Sequence, residues 1–202
     1  MLIGSPAFFL TANTIKFSII VVCFFVAAGS YFFCNSKKDW AYLMAAMGFT
    51  LLADYFLVIA FNYRVGVFIF CFAHIAYILR VSDNKKKSLQ WIISPFVFGW
   101  LYYYLFGTWM SQLQTLAFIY AILFAVNLGT HIKRYRYINN RRLILTGLIL
   151  FVLCDIHVLM FNLPHHLPMI PTAVSDWGRT WIWVFYAPSQ ILLCLSAVKW
   201  KA

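Results

Sequence analysis

The chain has 202 residues, 64% of them hydrophobic and 10% charged, with a mean hydropathy of +0.82, a balance that excludes an ordinary soluble domain and indicates a membrane protein. Sixteen Lys and Arg against five acidic residues give a formal charge of +11. In a soluble chain that excess would suggest nucleic acid, but here the cations stand in short clusters between apolar stretches. They read as topology signals and as contacts to a lipid bilayer with anionic headgroups, with no nucleic acid as partner.

In chain order the apolar stretches predict seven spans, near 14–34, 40–61, 65–80, 89–106, 109–131, 143–162 and 178–199. Roughly 20 apolar residues in a helix cross about 30 Å of hydrocarbon, and several of the stretches reach that length. The expected fold is all-α, a polytopic transmembrane helical bundle forming a single domain over residues 1–202. No cationic leader precedes the first span, which is too long for a signal peptide's apolar segment and is expected to stay in the membrane.

If seven spans alternate, thirteen of the cations fall on one side and only Lys16, Arg64 and Arg179 on the other. The positive-inside rule then places the N-terminus outside and the C-terminus in the cytoplasm. Short loops without targeting tails point to a bacterial inner (plasma) membrane. Residues 163–177 (LPHHLPMIPTAVSDW) are expected to form a longer outer loop that links two helices and exposes His165 and His166. The five cysteines lie within or at the ends of apolar spans, without metal-ligand spacing, and are expected to be small core residues.

Of the five acidic residues, Asp39, Asp83 and Asp176 fall in polar linkers and are expected at solvated surface. Asp54, in FTLLADYFLVIAF (49–61), and Asp155, in GLILFVLCDIHVLMFN (147–162), do not. A carboxylate near the bilayer centre costs roughly 2.5–3.5 kcal/mol on insertion scales, so each is expected to face the bundle interior or a wet cavity. Both spans run in the same direction and the two acids occupy similar depths, so they can share a site.

His74 lies mid-span, with Tyr77 three residues on and on the same helical face. Tyr186 and Gln190, four apart in FYAPSQ, share another face, and Pro188 between them frees a backbone carbonyl. Asn127, with Tyr120 seven residues earlier, makes a further one. His157 stands two residues from Asp155, on a different face, where a structural or interfacial role is expected. Neither an HExxH spacing nor a phosphate-binding glycine loop nor a nucleophile elbow is present, so no metal and no cofactor is expected.

LLADYFLV and GVFIFCFAHIAYILR within 51–80, GLILFVLCDIHV (147–158) and FYAPSQILLCLSA (185–197) together resemble the YhhN family of integral membrane proteins, which includes lysoplasmalogenases. The likeness lies in order and context: an acid after a small residue, a His-Tyr helix, a second acidic helix, then a Tyr-to-Gln final helix. Members commonly have Gly-Asp where this chain has Ala53-Asp54, often Ser-Asp where it has Cys154-Asp155, and many have eight spans.

The resemblance implies hydrolysis of the vinyl ether bond of a lysoplasmalogen, a lysophospholipid substrate, to a fatty aldehyde and a glycerophospho-base. Asp54 and Asp155 would be the reacting pair, one carboxyl protonated and the other ionised, as paired carboxyls act on other oxocarbenium-like states. His74 would serve as a further catalytic group, with Tyr77, Asn127, Tyr186 and Gln190 holding the substrate. The segment FGWLYYYLF (98–106) is expected chiefly as an interfacial aromatic belt. The alternative reading is a proton-coupled transporter that loads and releases protons on the same two carboxylates.

Overall fold

The computed structural model describes residues 6–34, 36–107, 111–137, 140–167 and 169–199. Within them the chain forms seven α-helices: α1 (Pro6–Gly29), α2 (Lys37–Asp54), α3 (Tyr63–Val81), α4 (Lys85–Phe106), α5 (Gln112–Lys133), α6 (Arg141–His166) and α7 (Thr172–Cys194). The first residues of the expected fifth span, Trp109 and Met110, lie outside the described residues.

Local chemistry sets where several helices begin. Ser36, Asn62 and Asn84 each accept a hydrogen bond from a backbone N–H in the first turn of the following helix. At α5 the bonding is reciprocal, since Ser111 accepts from Gln114 N–H while the Gln114 side chain accepts from Ser111 N–H. Such caps satisfy donors that a helix start otherwise leaves orphaned.

Packing places α1, α2, α3, α5, α6 and α7 in a ring, each against the next and α7 back against α1, while α4 stands outside on α5. The α6–α7 pair is the most intimate. At Gly178 an added Cβ would lie 2.6 Å from the His157 carbonyl oxygen and 2.7 Å from the Phe161 nitrogen, so only glycine admits this approach. The α5–α6 pair is the loosest seam of the ring. At one end of the bundle Lys199 N–H donates to the Phe33 carbonyl at 2.8 Å, tying the end of the chain to the segment after α1.

Among the described residues six helical segments are long and apolar enough to cross a membrane: Asn13–Phe33, Lys37–Ile59, Tyr63–Val81, Gln112–Lys133, Arg141–His165 and Thr172–Ala197. The expected span at 89–106 is a helix of 22 residues, α4. It falls short in hydropathy rather than length, because much of its apolar content is Trp and Tyr. Its exposed Trp91, Phe98, Trp100 and Tyr104 suit contact with lipid or the interface.

Two expectations are corrected. The outer loop is much shorter than 163–177, since α6 continues through Pro164 to His166 and α7 starts at Thr172. Pro164 lies in the last turn of α6, and the ladder closes beyond it with Leu167 N–H donating to the Leu163 carbonyl at 2.9 Å. His165 is exposed at the end of α6, and the His166 side chain lies outside the described residues. Asp39 is not a solvated linker residue either. It sits in the first turn of α2 and accepts two hydrogen bonds from Arg80, each 2.8 Å, while Arg80 also donates to Ser196 Oγ at 2.7 Å. This buried arginine clamps α2, α3 and the end of α7 together. Asp83 likewise pairs with Arg134.

Candidate active site

The last regular turn of α2 ends at Asp54, and the chain then widens into a π-helical segment, Tyr55–Ile59, where Ala60 N–H reaches back to the Tyr55 carbonyl at 2.9 Å. Such insertions are rare and recur at functional sites. Phe61 follows with φ 53°, an uncommon conformation for a bulky residue. Opposite the turn, Gly66 of α3 comes so close that a Cβ there would lie 3.2 Å from the Ala53 carbonyl oxygen and collide with Leu57. The turn carrying Asp54 is thus packed closely against α3, and Asp54 is only 3% exposed. The Tyr186 hydroxyl of α7 donates to its carboxyl at 2.5 Å.

Asp155 lies midway along α6 and is half-buried. The Tyr120 hydroxyl of α5 donates to it at 2.7 Å, across the loosest seam of the ring. Each of the two membrane-depth carboxyls is therefore held by one tyrosine from a neighbouring helix.

An aromatic layer joins the two halves. The ring of Phe151 lies 5.4 Å from that of Tyr186, 5.7 Å from His74 and 5.0 Å from Phe124. His74 in turn stacks on Phe124 at 4.4 Å and lies 4.9 Å from the Tyr120 ring. Cys154, next to Asp155 in the chain, is within electrostatic reach of both carboxyls, and Tyr120 is within reach of Tyr186.

One turn deeper, polar side chains continue. Asn127 Nδ2 and His74 Nδ1 are 3.1 Å apart, and the Asn127 carbonyl is 2.9 Å from His131 Nδ1. His74 Nε2, Asn127 Oδ1, His131 Nε2, Thr50 Oγ1, Ser189 Oγ and both polar atoms of Gln190 are buried without a protein partner. Thr50 lies one turn from Asp54 and Gln190 one turn from Tyr186, both toward the Arg80 end of the bundle. Buried polar groups of this kind are ordinarily satisfied by internal water or by a ligand.

The structure thus brings Asp54, Asp155, His74 and Tyr186 to one layer, and sets Asn127 and Gln190 just beneath it. Tyr77 is turned elsewhere, with its hydroxyl 3.5 Å from Met47 Sδ in the apolar core. His157 faces its own helix, Nδ1 lying 2.6 Å from the Leu153 carbonyl oxygen, and stacks on Phe185. Among the described residues no group of three His, Cys, Asp or Glu side chains could hold a metal ion, and all five cysteines are free. Two shallow, open apolar grooves lie between α4 and α5, away from the carboxyls, and the second is lined by Phe98, Tyr102 and Phe106.

Tyr120 is the carboxyl partner that sequence reasoning did not assign. Its shared face with Asn127 is visible in the spacing, but nothing in the sequence marks it, among twelve tyrosines, as the partner of Asp155. No curated protein and no solved structure matches the chain. The family pattern does match, over residues 11–197, and with it the chain belongs to the YhhN family.

Proposed function

We propose that this protein is a membrane-embedded hydrolase that cleaves the vinyl ether bond of lysoplasmalogens through Asp54 and Asp155. The observation that carries the reading is the matched pair of tyrosine-held carboxyls, Asp54 with Tyr186 and Asp155 with Tyr120, joined through one aromatic layer inside a YhhN bundle.

The chemistry balances on the two acids. The protonated carboxyl delivers its proton to the β-carbon of the vinyl ether, leaving an oxocarbenium ion on the α-carbon and oxygen. Water adds to the α-carbon and gives its proton to the ionised carboxylate, forming a hemiacetal. That proton passes to the glycerol oxygen as the C–O bond breaks, and the hemiacetal hydroxyl proton returns to the first carboxylate. Fatty aldehyde and glycerophospho-base leave, and the enzyme regains its starting state.

A carboxylate beside the cation stabilises it most where water is excluded, and the aromatic layer provides such a place. The tyrosine hydroxyls orient the carboxyls, and His74, whose ring lies 4.9 Å from that of Tyr120, serves as the proton relay. The half-buried Asp155 at the α5–α6 seam offers a single-chain lipid lateral entry from the bilayer.

The test is aldehyde release by the purified protein from vinyl-ether, acyl and alkyl lysolipids in parallel. Release from the vinyl-ether substrate alone is expected, and cleavage of the acyl substrate alone would redirect the reading to an ester hydrolase. One observation favours a second reading, a proton-coupled transporter: the unpartnered polar atoms beneath the carboxyls extend toward the Arg80 end. Substrate-dependent proton flux in liposomes without bond cleavage would select it.

A further inference from the structure

Lys16 and Arg179 are cations inside apolar helices. Arg179 lies seven residues into α7, about 10 Å from its start, and Lys16 precedes Phe17, whose ring meets that of Tyr55, the residue after Asp54, at 6.1 Å. Lys16 therefore sits near the depth of the carboxyl layer, while Arg179 lies as far from Tyr186, seven residues on, as from the start of α7. Arg179 is exposed and Lys16 half-buried.

The Lys16 ammonium lies over the ring of Trp183, which stands one turn from Arg179 on the same face of α7, so two like charges share one side of the bundle. Among the described residues the ion pairs are Arg80 with Asp39 and Arg134 with Asp83, and neither Lys16 nor Arg179 takes part. Asp176, one turn before Arg179 on α7, is exposed and makes no ion pair with it. Placing ionisable side chains at membrane depth is costly, and such groups ordinarily mark a pathway or a site. Two adjacent cations without an anion add mutual repulsion to that cost. An anion between them removes both.

Their position relative to the candidate active site defines the anion. The Lys16 ammonium lies 5.5 Å from the centre of the Trp183 ring, Trp183 meets Tyr186 edge-on at 5.3 Å, and Tyr186 donates to Asp54. Arg179, Trp183 and Tyr186 are spaced i, i+4 and i+7 and so form one stripe along α7. An anion held by Lys16 and Arg179 is thus separated from the Asp54 carboxyl by a tryptophan and a tyrosine side chain.

We propose that Lys16 and Arg179 form the receptor for the phosphate of a lysophospholipid headgroup. The inference rests on the reading of the carboxyl pair as a lysolipid hydrolase, and it adds which residues hold the substrate's polar end. Phosphate suits the pair because an arginine fork meets two phosphate oxygens at once, while lysine supplies a compact point charge. With the phosphate so placed, the glycerol lies along Trp183, and the vinyl ether on its first carbon extends past Tyr186 toward Asp54. The tail then passes into the apolar bundle or out through a seam.

The test measures binding without turnover. The full-length protein in uncharged nanodiscs is titrated with a saturated 1-O-alkyl lysophosphoethanolamine, which has no vinyl ether, and with the corresponding 1-O-alkylglycerol, which has no phosphate. The wild type is expected to bind the phosphate-bearing lipid about tenfold or more tightly than the alkylglycerol. In Lys16→Gln/Arg179→Gln that preference is expected to vanish while alkylglycerol affinity and melting temperature hold. A double variant that keeps the preference overturns the proposal.

If the double variant does not fold, Arg179→Gln alone decides, because its side chain is exposed: most of the preference is expected to be lost, and full retention overturns the proposal. Free glycerophosphate and bilayer phosphatidylglycerol serve as competitors. Weak competition by both is expected. Displacement by glycerophosphate at the lysolipid's own concentration would make the site one for free phosphate esters, and displacement by phosphatidylglycerol would make it one for annular lipid; either result overturns the headgroup assignment. Failure of the aldehyde-release assay with the phosphate preference intact would sink the hydrolase reading and leave the binding site standing.

Discussion

Replacing Tyr186 with phenylalanine isolates one atom of the candidate site. The ring would still lie between Phe151 at 5.4 Å and Trp183 at 5.3 Å, so packing is preserved and only the hydroxyl that donates to Asp54 is lost. A hydrogen bond to a charged group is worth about 1.5–3 kcal/mol, and a buried acceptor left without its donor bears the full cost. At about 1.4 kcal/mol per tenfold in rate, kcat for aldehyde release is expected to fall roughly 10- to 150-fold. KM should change little, because the hydroxyl acts on the carboxyl rather than on the lipid. The assay is steady-state aldehyde release from a lysoplasmalogen in detergent, with melting temperature measured on the same preparation. An unchanged kcat in a folded Tyr186→Phe protein would refute the reasoning, and so would a loss confined to KM.

Tyr120→Phe is expected to lower kcat in the same assay by less than Tyr186→Phe does, since Asp155 is half-buried and water can replace part of the lost bond. His74→Phe keeps the stack on Phe124 and should fold, yet lose on the order of 100-fold in kcat if the imidazole moves protons; near wild-type turnover would make it a packing residue. Gly178→Ala forces a Cβ against the α6 backbone at 2.6 Å and should destabilise the α6–α7 pair by about 1–3 kcal/mol, read as a lower melting temperature. Arg80→Gln removes the clamp on Asp39 and Ser196 and is expected to cost about 1.5–3 kcal/mol by the same measure.

The all-helical architecture and the two acids were legible because each is written locally. Runs of apolar residues long enough to cross hydrocarbon announce helices, and a lone aspartate inside one has few stable places to go except inward. What could not be read were the contacts made across helices. Tyr120 and Tyr186 are two of twelve tyrosines, and which of them meets a carboxyl depends on how α5 and α7 are rotated in the bundle. Asp39 looked like linker polarity because its partner Arg80 is 41 residues away. The outer connection looked long because Pro164 and Pro171 read as breakers, yet one sits in the last turn of a helix and the other just before the first turn of the next. The π-helical widening after Asp54 has no sequence signature. Lys16 and Arg179 were visible as exceptions to the charge asymmetry, but only the fold shows that they stand together.

The most direct test of the account is aldehyde release by Asp54→Asn and Asp155→Asn, since asparagine keeps each side chain's shape and can still accept the tyrosine's hydrogen bond but cannot carry the proton. Both variants are expected to fold with a melting temperature near that of the wild type and to lose at least about 100-fold in kcat. Aldehyde release at the wild-type rate by either folded variant would contradict the central claim.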